Sequence, residues 1–197
     1  MIIGDYEKFG FLIEYDANAS VDPTFIEGFF VIYINGKMYP EKFNHYVTLN
    51  RDVEYLLNNS SFIEMPINKR LFEIDKKQAI VEMFMLSNIL ILDEDNREDS
   101  DNLKEDYTYN AISSHFTDGE YGEIFSVSNG EMIRILGGKL LSDYDEEKCC
   151  YINYRLSDEI DEIFILKYEL EYYISKLKKY YTKIKQIHKK RFDYTYS

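Results

Sequence analysis

The strongest constraint on the fold lies in residues 29–39, where an apolar strand runs into a tight turn. Phe29 to Ile34 is a continuous apolar run, which is typical of a strand covered on both faces. Asn35-Gly36 follows, and this dipeptide accepts the positive φ angles that a two-residue hairpin requires. Lys37 to Tyr39 is predicted to pair back until Pro40, which has no N–H for the ladder. An antiparallel hairpin is therefore the first predicted element.

Other apolar runs predict further antiparallel strands. Tyr121 to Ser128 and Glu131 to Leu136 flank Asn129-Gly130, a second hairpin signal. The remaining strands are predicted at Ile2-Ile3 with Phe9–Tyr15, at Cys149–Leu156 and at Ile163–Leu166. Gly137-Gly138, followed by Lys139, lacks the spacing and the Ser or Thr of a phosphate-binding loop, so a turn is predicted there.

Three segments have the apolar spacing of amphipathic helices. The two inserted helices are predicted at Asn50–Asn58 and Asp75–Ser87. The following residues, Asn88–Leu92, either continue the second helix or form a short strand. The clearest helix is C-terminal, where lysines fill the face opposite an apolar stripe. That stripe comprises Leu170, Tyr173, Ile174, Leu177, Tyr181, Ile184 and Ile187. Strands with inserted helices and no regular βαβ alternation predict an α+β fold with mainly antiparallel sheet.

Length and composition indicate a single domain over residues 1–197. A chain of 197 residues that is 45% hydrophobic can bury a substantial core. The longest apolar run, near Met83 to Leu92, is interrupted by polar residues and is too short to span a bilayer. No basic region precedes the first apolar run, so we expect no secretory signal and a cytoplasmic protein. The adjacent Cys149 and Cys150 cannot form an ordinary disulfide with each other.

Charge is distributed unevenly along the chain. The net charge is -13; residues 176–191 carry +8 and residues 192–197 carry -1, which leaves -20 for residues 1–175. Such an acidic body repels nucleic acid and anionic membranes and favours cationic partners. The alternative interpretation is that acidity only maintains solubility.

The acidic residues are densest between Asp93 and Asp106. These fourteen residues contain eight acids, and the segment is predicted to be an exposed loop or insertion. An EF-hand starting at Asp93 would need glycine at its sixth position and glutamate at its twelfth, where Glu98 and Lys104 stand. We therefore predict no metal site here, and the sequence contains no other metal-binding or cofactor-binding motif.

No catalytic arrangement stands out. The three histidines, at 45, 115 and 188, are far apart, and the pairing of His115 with Ser113 or Ser114 rests on sequence proximity alone. Paired carboxylates such as Asp161-Glu162 are expected on a solvated face in a chain with 36 acids. The sequence therefore favours a protein that is not an enzyme.

The N-terminal pattern resembles that of a known family. Four features resemble the immunity proteins of bacterial polymorphic toxin systems, specifically family forty-two. They are Met1 to Gly4, the apolar strand around Phe9 to Ile13, Ile34-Asn35-Gly36 and a helix after Thr48-Leu49. The resemblance implies a cytoplasmic antidote that binds a cognate toxin domain and blocks it. A basic nuclease is one class of toxin that an acidic surface would suit.

Two sets of residues follow from this interpretation. The predicted fold-defining turn residues are Gly4, Asn35, Gly36, Asn129 and Gly130. The predicted toxin-binding residues are acids in the 93–106 segment and near residue 119: Asp93, Glu94, Asp95, Glu98, Asp99, Asp101, Glu105, Asp106, Asp118 and Glu120. Two alternatives stay open: a small enzyme with an unrecognised site, and a structural protein that self-associates as a homo-oligomer through its tyrosine-rich C-terminal helix.

Overall fold

The computed structural model describes residues 1–41, 46–88, 104–113, 122–146 and 149–193. The strands are β1 Ile2–Asp5, β2 Phe9–Tyr15, β3 Glu27–Ile34, β4 Lys37–Tyr39, β5 Val47–Thr48, β6 Gly122–Ser128, β7 Met132–Asp145 and β8 Cys150–Leu166. The helices are α1 Leu49–Asn59, α2 Ser61–Glu64, α3 Lys69–Glu73, α4 Lys76–Ser87 and α5 Lys167–Asp193. The predicted α+β class with a long C-terminal helix is confirmed.

The first sheet is the predicted antiparallel arrangement around β3. Its strand order is β1-β2-β3-β4, with β5 also paired to β3. Ile34 pairs with Lys37 across a two-residue turn, and Asn35 and Gly36 have φ angles of 51° and 79°. Both positive angles are those of a type I′ turn, which matches the right-handed twist of the strands. Gly4 also has a positive φ, 91°.

The prediction that β3 is covered on both faces is only partly correct. Phe30, Ile32 and Ile34 alternate into the core and are 0–1% exposed. On the opposite face Phe29 and Tyr33 are half-buried, although Val31 between them is buried. Single aromatic rings cover this face. For example, the ring centroids of Phe29 and Tyr46 lie 4.7 Å apart.

The second sheet, β6-β7-β8, lies between two hydrophobic clusters. Ile124, Ile133 and Ile135 face the core shared with the first sheet and α5. Phe125 and Leu136, on the other face, pack with residues of α3 and α4. Because strand side chains alternate between faces, the three strands supply both clusters at once.

Two predictions in this sheet are wrong. Gly137 and Gly138 do not form a turn, because β7 runs straight through them and pairs with both neighbouring strands. The two strands predicted at Cys149–Leu156 and Ile163–Leu166 are one continuous strand, β8, of 17 residues. Its polar centre, Asp158 to Glu162, masks the strand pattern in the sequence. Cys149 precedes β8 in a left-handed conformation, with φ 50°.

The inserted helices start and end close to their predicted bounds. Asp75 caps α4 by accepting the backbone N–H groups of Lys77 and Gln78 at 2.9 and 3.3 Å. The short helices α2 and α3 were not predicted, since four or five residues give no periodicity. Of the alternatives for Asn88–Leu92, the structure shows that α4 ends at Ser87 with Asn88 as its C-cap, and residues 89–92 lie outside the described ranges.

A buried arginine joins α3 to the second sheet. Arg134 of β7 is 3% exposed and donates to the carbonyl oxygens of Leu71, Phe72 and Ile74 at 2.8, 3.1 and 2.7 Å. Its Nε also donates to Glu162 at 2.7 Å. The guanidinium thus satisfies carbonyl groups at the end of a helix and has its own charge balanced.

Helix α5 buries most of the predicted stripe; Tyr173 is half-buried and Ile187 is exposed. Leu170, Leu177 and Tyr181 are at most 2% exposed, whereas Ile187 is 57% exposed. His188 occupies the buried position instead, because it lies four residues after buried Ile184 and continues that face. Its Nε2 donates to the Pro23 carbonyl, and its Nδ1 lies 3.1 Å from the Tyr15 hydroxyl. No helix within the described ranges is long and apolar enough to cross a membrane.

The two sheets are joined at Tyr39. Its ring lies against β6 and β7 where they carry glycine: a Cβ on Gly122 would come within 2.8 Å of the ring, and one on Gly137 within 2.6 Å. The Tyr39 hydroxyl donates to Asp161 Oδ2 on β8 at 2.7 Å, and Lys37 Nζ lies 3.3 Å from the other oxygen. The glycines are therefore required by packing between sheets.

We predict that Gly137→Ala destabilises the protein by about 1–3 kcal/mol, because the new methyl group overlaps the buried Tyr39 ring. Gly138→Ala is the matched control: its Cβ would meet only the flexible ends of Ile80 and Leu156, at 3.0 and 3.6 Å. Urea denaturation of both variants measures the difference. Equal losses of stability would contradict this assignment.

Candidate functional site

The structure contains a cavity beside α1, with a volume of about 640 Å³. Five of its lining residues lie on one face of α1 at helical spacing, and two come from the segment 104–113: Arg51, Glu54, Tyr55, Asn58, Asn59, Tyr107 and Ser113. The opposite face of α1 is buried through Leu49, Val53 and Leu56. One amphipathic helix thus closes the core with one face and lines the cavity with the other.

Arg51 and Ser113 are held by a buried carboxylate. Asp52, 2% exposed, accepts from Arg51 Nε at 3.0 Å and Nη2 at 3.2 Å. Ser113 Oγ donates to Asp52 Oδ1 at 3.2 Å. These bonds fix α1 to the 104–113 segment, so that the two sides of the cavity are held together.

Glu54 connects the cavity to α5. It accepts from the Tyr181 hydroxyl at 3.0 Å and from Lys185 Nζ at 3.2 Å. Burial and then this hydrogen bond to a carboxylate raise the pKa of Tyr181 well above its ordinary value. Tyr181 therefore remains a donor across the physiological pH range.

Two tyrosines that line the cavity, Tyr55 and Tyr107, are affected by the charge of a glutamate that does not line it. Burial raises the pKa of Tyr55, and the charge of Glu123 on β6 raises it further. The hydrogen bond from Tyr107 to Glu105, followed by burial and nearby charges that include Glu123, raises the pKa of Tyr107 to about 12. Glu123 is therefore an electrostatic neighbour of two cavity residues.

Glu123 itself is half-buried on β6. Burial raises its pKa from 4.5 to about 7. Within the described ranges no hydrogen bond or ion pair to its side chain is present. Its ionised form is accordingly unfavourable in the folded protein, and a carboxyl group with a pKa near 7 changes charge around neutral pH.

Most of the predicted toxin-binding acids cannot be placed against this cavity. Asp93, Glu94, Asp95, Glu98, Asp99, Asp101, Asp118 and Glu120 lie outside the described residues. Glu105 and Asp106 are described and directly precede the cavity residue Tyr107, whose hydroxyl donates to Glu105. Asp106 is tied to the fold: its N–H donates to the Leu86 carbonyl at 2.8 Å, and its Oδ1 accepts the Thr108 N–H at 2.9 Å.

Sequence analysis missed the cavity residues. Arg51, Glu54 and Tyr55 look like the ordinary solvated face of a helix, so nothing distinguished them. Glu123 did leave a signal, since it is the single charged residue in the apolar strand Gly122–Ser128. The described residues contain no group of three or more histidine, cysteine, aspartate or glutamate side chains able to hold a metal ion.

We predict that Glu123 makes folding stability fall as pH rises. The folded protein binds this proton more tightly than the unfolded chain, so the stabilisation is complete below about pH 4.5 and is lost as pH passes 7, by up to about 3 kcal/mol. Glu123→Gln should flatten this part of the profile. Urea denaturation between about pH 4.5 and 8 measures it, with Glu131→Gln, an exposed acid, as control. Parallel profiles for the wild type and Glu123→Gln would show that Glu123 is not desolvated.

Comparison with known proteins gives one family and one similar structure. The crystal structure of CdiI from Burkholderia dolosa AUO158 has a TM-score of 0.63 and 18% identity, covering 90% of this chain and 97% of that chain. It shows the same fold. No curated protein sequence matches the chain. The model of the family Immunity protein 42 matches residues 1–180, and the chain therefore belongs to the immunity protein 42 family.

Proposed function

We propose that this protein acts in the cytoplasm by binding a cognate bacterial toxin domain and blocking it through an acidic surface. Membership of the immunity protein 42 family supports the toxin-neutralising role. The observation that carries the finer proposal is the segregation of charge: residues 1–175 hold -20, while the +8 of residues 176–191 is confined to one helix. The toxin domain is accordingly expected to present a cationic surface.

The acidic body and the basic helix have different proposed roles. Seven lysines of α5 are exposed: Lys176, Lys178, Lys179, Lys183, Lys185, Lys189 and Lys190. The acidic body outside α5 would attract a basic domain from a distance and orient it away from this helix. Electrostatic steering of this kind raises the association rate more than it changes short-range contacts.

A basic nuclease is the toxin class that this charge suits best. Nuclease surfaces that hold phosphate backbones are rich in lysine and arginine. Carboxylates presented by the immunity protein can occupy such a surface in place of phosphate groups. We propose the acids of the 93–106 segment, with Asp118 and Glu120, as part of that contact.

One observation favours a second candidate, catalysis at the cavity. A carboxylate with a pKa of about 7 beside two tyrosines is suited to general acid–base chemistry. An enzyme that inactivates the toxin would lose protection on Glu123→Gln while retaining toxin binding. An inhibitor would lose protection only to the extent that it loses binding.

We predict that joint neutralisation of the proposed acids slows toxin binding. Changing all ten to Asn or Gln should lower the association rate about tenfold or more at low ionic strength and flatten its salt dependence. The measurement is surface plasmon resonance with the toxin domain encoded next to the gene, together with survival of cells that express that toxin.

A smaller matched pair separates local contacts from total charge. Glu105→Gln with Asp106→Asn removes two acids beside the cavity, whereas Glu131→Gln with Glu171→Gln removes two exposed acids elsewhere. The first pair should slow association more than the second. Equal association rates for the wild type, both double variants and the variant with all ten acids changed would exclude an acidic contact surface.

A further inference from the structure

The first sheet has a second apolar face, on the side away from the core. In the ladder of β1, β2 and β3, Ile2 is opposite Leu12, and Leu12 is opposite Val31. Opposite residues of antiparallel strands point to the same face, and residues two positions apart on one strand share it. The six apolar residues that the register places on this face, here called the outer face, are Ile2, Leu12, Phe29, Val31, Tyr33 and Met38.

The outer face is separate from the hydrophobic core. In the part of the chain that the structure describes, none of its six residues belongs to either hydrophobic cluster. An antiparallel sheet that packs one face on the core ordinarily carries polar residues on the other. Here all six positions are uncharged, and a contiguous apolar surface of this kind is typical of an interaction site.

Two tyrosines extend the outer face towards solvent. Tyr6, in the turn after β1, is 54% exposed and packs edge-on against Tyr33, with ring centroids 6.4 Å apart. Tyr46 is 52% exposed and packs against Phe29, and Ile2 is also 52% exposed. Aromatic rings are enriched at the centres of protein–protein interfaces, where they contribute much of the binding energy. The composition of the outer face is therefore that of an interface centre.

Acids lie on one side of the outer face. Glu14 is opposite Phe29 in the ladder, and Glu27 shares the face because it lies two residues before Phe29 on β3. Asp16 adjoins this side and accepts the Tyr46 hydroxyl at 2.8 Å. A partner that covers the apolar residues thus also meets carboxylates.

Basic groups are found at the margins of the sheet. The amino terminus donates to the Ile13 carbonyl at 2.7 Å, and Lys8 follows Glu7 in the turn after β1. Arg191 of α5 donates to the Ala17 carbonyl in the loop after β2. Within the described ranges no basic residue occupies a ladder position on the outer face, so its own charges are negative.

We propose that the outer face is the apolar centre of the surface that binds the toxin domain, with Glu14 and Glu27 facing basic residues of that domain. The inference rests on the proposed function, which gives the toxin domain a cationic surface. A second copy of this chain suits the outer face less well, because two chains of charge -13 would meet through the same patch. Burial of the apolar side chains supplies the short-range attraction that steering by charge does not.

A matched pair of double variants tests the outer face. Ile2→Lys with Tyr6→Ala removes apolar surface and adds a positive charge, and lysine is well tolerated on an edge strand such as β1. Ile187→Lys with Tyr172→Ala makes the same substitutions on α5, at side chains that are 57% and 56% exposed. The outer-face variant should raise the Kd for the toxin domain about tenfold or more, mainly through faster dissociation.

The measurement is surface plasmon resonance, and urea denaturation confirms that both double variants fold. The α5 variant is the control and should bind like the wild type. Equal dissociation rates for the two double variants would overturn the inference.

Hydroxyl-radical footprinting of the wild-type protein locates the contact without any substitution. The toxin domain should protect Tyr6 and Tyr46 from modification and leave Tyr168 and Tyr172 of α5, which are 65% and 56% exposed, unprotected. Equal modification of Tyr6 and Tyr46 with and without the toxin domain would contradict the proposed contact.

The two proposals can fail separately. A wild-type protein that binds the toxin while Tyr6 and Tyr46 stay unprotected overturns the outer face as the contact and leaves toxin binding intact. A wild-type protein that does not bind the toxin overturns the proposed function, and this inference with it. Sedimentation velocity should show monomers for the wild type and the outer-face variant. A wild-type dimer that this variant dissociates would assign the outer face to a second copy instead of the toxin.

Discussion

The contact between Tyr39 and two glycines determines how the two sheets of this protein fit together. The Tyr39 ring can pack against β6 and β7 only because Gly122 and Gly137 have no side chain in the space that it occupies. The hydroxyl then reaches Asp161 on the third strand, so a single residue of the first sheet contacts every strand of the second. Burial and the hydrogen bond to Asp161 raise the pKa of Tyr39 far above its ordinary value. The Tyr39 hydroxyl therefore keeps its proton across the physiological pH range.

Both hydrophobic clusters depend on that alignment. The second sheet contributes alternate residues to each of them, so a shift of one residue in its register would exchange the two sets. Arg134 fixes the register further, since its guanidinium must reach the end of α3 on one side and Glu162 on the other. The hydrogen-bonded polar side chains of Tyr39 and Arg134 thus determine how the apolar side chains of the two clusters are arranged. Against this background Glu123 is an exception, since no cation within the described ranges pairs with its side chain.

The sequence predicted those elements whose formation is decided locally. The Asn35-Gly36 hairpin, α4 and most of the α5 stripe depend on residues within a few positions of one another. The failures concern features that depend on distant partners. Gly137-Gly138 resembles a turn until Tyr39 is brought against it, and the polar centre of β8 resembles a break until β7 pairs with it. The cavity is lined by two segments that are distant in sequence, α1 and residues 104–113, and no local pattern brings them together.

Helix α5 has a consequence for the order of events during synthesis. Leu170, Leu177 and Tyr181 complete the core that the N-terminal strands begin, and His188 reaches back to Tyr15 and Pro23. The N-terminal strands therefore wait for α5 before their apolar faces are covered. Protection by a newly made molecule would begin only after residue 188 has emerged, and a chain interrupted before α5 would be left with an open core for proteases to attack.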